Sequence, residues 1–109
     1  MIDYDPNRPY LDLDSMEFFT ALRKDVAMKY GKTVKAMELS NREYERRFNR
    51  LAGKHNMMPP PGSHIHIMLG YLVVRRLGSP KQYETWMPDD VFEELYEKQI
   101  KNSPKAPGT

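Results

Sequence analysis

The sequence predicts an all-α fold, a small single-domain bundle of four to five short helices around a central apolar helix. Two capping-box patterns carry that prediction, each followed by apolar residues at helical spacing, together with a long apolar run that no proline or charge interrupts until Arg75. The 109 residues suffice for one domain, which typically spans about 50 to 250. With 39% hydrophobic and 29% charged residues the expected core is thin.

Residues 1–13 are acidic and contain prolines, and read as an extended N-terminal arm. Asp14 with Glu17 forms the first capping pattern; Phe18, Phe19, Leu22, Val26 and Tyr30 then recur at helical spacing until Gly31, predicting a helix over about 15–30. Thr33–Glu38 reads as a short helical turn. Ser40 with Glu43 is the second capping box, with Leu39 and Tyr44 in the positions of a hydrophobic staple, and predicts a helix over about 41–52. Residues 56–62 hold three consecutive prolines and form a connector that no helix or central strand can cross. Ser63 is placed to cap a helix from His64 to Leu77, apolar on nearly every face and therefore central; the alternation around His64–Ile67 also allows a short strand. Ser79-Pro80 opens a short helix to about Trp86, and Pro88-Asp89-Asp90 starts a last one bearing Val91, Phe92, Leu95, Tyr96 and Ile100 on one side. Residues 102–109 read as a flexible tail.

Charge is sorted into blocks. Residues 1–17 carry one Arg against five acidic residues, residues 18–81 carry 13 Lys/Arg against four, and the remainder is acidic again, so that an overall +2 conceals a basic middle of +9. A concentrated field of one sign speaks to partners rather than to fold. Wound at about 100° per residue, the second helix gathers Tyr44, Phe48 and Leu51 in one arc and sets Arg42, Arg46 and Arg50 opposite, with Arg47, Asn41 and Asn49 flanking. Lys29, Lys32, Lys35, Lys54, Arg75, Arg76 and Lys81 add to the excess. Guanidinium groups pair with phosphates in a two-pronged geometry, and Asn can read an adenine edge. Over about 20 residues from Val26, the order of small residue, Gly31 and Met37 resembles a helix-turn-helix in outline, with Lys32 and Ser40 departing from that pattern.

The expected function is therefore a non-enzymatic nucleic-acid-binding or DNA-associated regulatory protein, using the basic helix face of Arg42, Arg46, Arg47, Asn49 and Arg50 with Lys54, Lys32 and Lys35. DNA stands ahead of RNA as partner. The alternative is a small adaptor or inhibitor that docks on an acidic protein surface through the same face and an aromatic edge of Tyr83, Trp86 and Met87. No cysteine is present for a disulfide or thiolate site, and nothing at the start resembles a signal peptide, so a cytoplasmic protein is expected. His55, His64 and His66 lack the companions a metal site needs, and Ser63-His64 lacks a nucleophile elbow. No cofactor, metal or membrane partner is expected, and a homodimer is compatible with the charge pattern.

Overall fold

The computed structural model describes residues 8–61 and 66–98. It corrects the all-α expectation, because the centre of the molecule is a five-stranded antiparallel sheet with helices on both faces. In chain order the elements are β1 (Glu17–Ala21), α1 (Lys24–Tyr30), β2 (Thr33–Glu38), α2 (Asn41–Leu51), β3 (Gly70–Arg75), β4 (Tyr83–Pro88), α3 (Asp89–Leu95) and β5 (Tyr96–Lys98). The strands lie side by side as β4-β3-β2-β1-β5, so β4 and β5 are the edges.

Each strand sends alternate side chains to opposite faces, and here both faces are covered. Phe19, Val34, Ala36, Val73 and Met87 pack with Val26 of α1 and with Phe92 and Tyr96. Their aromatic members interlock: the Tyr71 and Phe92 rings stack at 4.1 Å, and Phe19 meets Phe92 edge-on at 4.8 Å. On the other face Leu72, Val74, Trp86, Leu39 and Met16 pack with Tyr44 of α2. Trp86 also donates its indole N–H to the Leu39 carbonyl at 2.8 Å. A Cβ at Gly70 would collide with that indole ring and with the Met87 carbonyl, so only glycine lets β3 and β4 close up there.

The predicted helix over 15–30 is divided. A 3-10 turn at Leu13–Ser15, capped by Asp12 rather than Asp14, leads into β1, and only Lys24–Tyr30 is helical, ending at Gly31 with φ 102°. Thr33–Glu38 is strand β2, with Val34 and Ala36 on the α1/α3 side, which also removes the helix-turn-helix outline. Of the expected central helix, Gly70–Arg75 is strand β3, residues 66–69 have no regular structure, and Ser63, His64 and Ile65 lie outside the described residues. The short helix before Trp86 is strand β4, and the last helix stops at Leu95, where the chain turns into β5. The arm is not extended at Arg8–Tyr10, which forms a 3-10 turn with Pro9 buried. The predicted tail lies outside the described residues. Helix α2 forms at Asn41–Leu51 with both halves of the Ser40/Glu43 capping box in place. Among the described residues no helix is long and apolar enough to cross a membrane.

Candidate functional site

Helix α2 positions the arginines on which the sequence argument rests, and it does not treat them alike. Arg42, Arg46 and Arg50 are exposed, as is Asn49. Arg50 lies over the Tyr10 ring at 4.4 Å, and Arg42 and Arg46 also engage other groups. Arg47, expected to point outward, is buried and only 2% exposed. Its Nε and Nη2 donate to the Glu84 carboxylate at 2.7 and 3.2 Å, and its Nη1 donates to the Pro9 and Leu11 carbonyls at 2.9 and 2.7 Å. The second Glu84 oxygen lies 2.6 Å from His55 Nδ1. A guanidinium that makes four hydrogen bonds to acceptors from two other segments is a structural clasp that fastens the N-terminal arm to α2 and β4.

The remaining predicted residues are similarly dispersed. Lys35 is drawn inward, donating to the Leu13 carbonyl at 3.0 Å and lying over the Phe18 ring. Lys32 and Lys54 are exposed, the latter beside a hollow shared with His55 and Glu84. Asn41 is buried; its amide holds the His66 carbonyl and the Met68 N–H, tying the segment before β3 to the start of α2. The proposed aromatic edge also dissolves, because Trp86 and Met87 belong to the two cores. Tyr83 alone of that trio stays on the surface, 37% exposed.

What the fold does bring together is a set of cations from three separate segments. Lys29 and Tyr30 end α1, Arg75 ends β3, Arg76 and Lys81 belong to the turn into β4, and Tyr83 and Thr85 lie on β4. With Met58 they line a groove of about 440 Å³ in which four side chains are basic and none is acidic. The Arg75 guanidinium stacks on the Tyr30 ring at 3.8 Å, and Lys29 approaches that ring at 5.3 Å. Arg75 Nε is buried and has no hydrogen-bond partner among the described residues.

The groove's walls are fixed by the β3–β4 turn. Arg76 adopts φ 54°, an uncommon left-handed conformation for a side chain of its size. Its Nη2 donates to the Lys29 carbonyl at 2.7 Å, at the negative end of α1, while its own carbonyl accepts from the Ser79 hydroxyl at 2.8 Å. Gly78, with φ 74°, lets the chain reverse, and its N–H donates to the Gln82 side chain. Two hollows on the α2 side, lined by His55, Gln82 and Glu84, are smaller, and Asp12 and Asp14 give the larger of them an acidic rim. No group of three His, Asp or Glu among the described residues is arranged to hold a metal ion.

In the sequence Lys29, Arg75, Arg76 and Lys81 read only as additions to the basic excess around α2. A usable signal was present: Lys29-Tyr30-Gly31 and Arg75-Arg76-Leu77-Gly78 each set cations two or three residues before a chain-reversing glycine, and Lys81 stands two residues from Tyr83. Comparison with known proteins finds no matching family model, no matching curated protein and no matching solved structure.

Proposed function

We propose that this is a non-enzymatic nucleic-acid-binding protein whose contact surface is the groove of Lys29, Arg75, Arg76 and Lys81. The observation that carries the reading is the convergence of four cations and two tyrosines on one concavity that no carboxylate lines. Phosphate oxygens are the natural complement of such a field, and aromatic rings among cations suit the sugar-phosphate chain and the bases it carries. The α2 arginines are a weaker basis. Arg47 is committed to Glu84, and Arg50 is stacked on Tyr10. An adaptor role retains the exposed basic surface but loses the aromatic anchor once assigned to Trp86 and Met87.

An electrophoretic shift with duplex and single-stranded probes tests the reading. Lys29→Glu and Lys81→Glu, each altering an exposed end of the groove, are expected to weaken binding at least tenfold and to flatten its salt dependence. Arg42→Ala with Arg46→Ala should weaken it less. The opposite ranking would move the interface to α2, and a stoichiometric protein partner that survives nuclease treatment, with no shift of any probe, would overturn the proposal.

A further inference from the structure

Resting on the groove as the nucleic-acid site, we infer that it receives an unpaired nucleotide, with the base against Tyr83 and successive phosphates of the strand among Arg75, Arg76, Lys81 and Lys29, so that the ligand is single-stranded nucleic acid rather than a duplex. Shape makes the distinction. A duplex is read by a protruding element, since a major groove about 12 Å wide has to be filled by a helix or a ribbon. This site is the reverse: a concavity of about 440 Å³, in the size range of small-ligand pockets, which starts at about 300 Å³. An extruded base enters such a hollow, whereas a paired and stacked base does not.

The two tyrosines divide the work. Tyr30 is engaged by the Arg75 guanidinium at 3.8 Å, which anchors that cation beside the end of α1. Tyr83 pairs directly across the ladder with Arg75 and lines the same groove, and it is 37% exposed. A half-open aromatic ring beside a planar cation offers a base one stacking surface and its phosphate a two-pronged donor. The α1 end of the groove is also tied to the turn, because Arg76 donates to the Lys29 carbonyl at 2.7 Å.

Fluorescence anisotropy with labelled oligothymidylate, and with the same strand paired to oligoadenylate, tests the inference at one low salt concentration. The single strand is expected to bind at least tenfold more tightly. Tyr83→Thr, which removes the ring but keeps a strand-favouring side chain, should weaken single-strand binding about tenfold, while Tyr83→Phe stays within about twofold. Thermal melting of each variant reports whether β4 is intact, and Tyr83→Phe provides the comparison should Tyr83→Thr melt early. Equal or tighter duplex binding, or single-strand affinity indifferent to the ring, would overturn the inference while leaving the groove as a phosphate site. Failure of every probe to bind would instead overturn the function on which it rests.

Discussion

Arg46 and Arg47 are neighbours in sequence and occupy opposite environments, one in water and one 2% exposed against Glu84. Arg47→Ala would leave the Glu84 carboxylate buried without its guanidinium, and a destabilisation of about 3–5 kcal/mol is expected in urea unfolding. Replacing Arg47 and Glu84 together by apolar residues of similar volume should cost much less, because the unpaired charge disappears with its partner. The burial was legible in part: Arg47 falls three residues after Tyr44 and four before Leu51, at the margin of the arc that faces the core, but a charged residue there reads as a flank until an acidic partner from another strand is known. Tyr44 offers a test by pH. Burial, reinforced by the nearby Glu84 charge, raises its phenol above the ordinary 10.0, and its hydroxyl donates to the Met58 carbonyl. A group raised in the folded state binds its proton more tightly there than in the unfolded chain, so its contribution is complete below pH 10 and is lost as pH rises beyond it. Stability should therefore decline above about pH 10, and Tyr44→Phe should show a shallower decline in the same melts. Tyr71, also raised by burial first and then by nearby carboxylates, will leave part of the slope in that variant.

Among the elements, α2 was legible because its signals are local. Ser40 accepts from the Glu43 N–H at 3.1 Å and Glu43 accepts from the Ser40 N–H at 2.9 Å, two contacts that need only residues three apart. Ser40→Ala is expected to cost about 1 kcal/mol in chemical denaturation. The strands were not legible, for a reason that β3 makes plain. Leu72 and Val74 face the α2 side while Val73 faces α1 and α3, so both alternating sets are apolar and the strand reads as a continuous run, as a buried helix also does. In β1 the helical spacing of Phe18, Phe19, Leu22 and Val26 combined two elements, since the strand ends at Ala21 and the helix starts at Lys24. Gly70 carried information of a different kind, a close approach between strands that only the folded pairing reveals. Gly70→Ala should destabilise by roughly 1–3 kcal/mol, at the upper end because backbone as well as the Trp86 ring obstructs the added carbon, and should blunt the near-ultraviolet signal of that tryptophan.

At the scale of the whole molecule, the basic middle of the sequence is not one surface. The exposed arginines of α2 do not line the groove that Lys29, Arg75, Arg76 and Lys81 share, so a count of charge along the chain gave the sign of the field and not its location. If a single strand engages all four cations, the logarithm of affinity should fall against the logarithm of salt with a slope approaching about −3, taking roughly −0.7 for each phosphate contacted. Titrations over a range of potassium chloride check that slope, and Lys81→Glu should reduce its magnitude. The double-sided burial of β3 also sets how this chain can change length. Deleting one residue between Leu72 and Val74 would exchange the two sets of side chains, presenting to each helical layer the residues shaped for the other. An added residue in the turn at 77–81 would leave that parity untouched, so indels accumulated by a diverging lineage, or sampled in a laboratory library, should be tolerated at the hairpin tip and purged from the strand behind it.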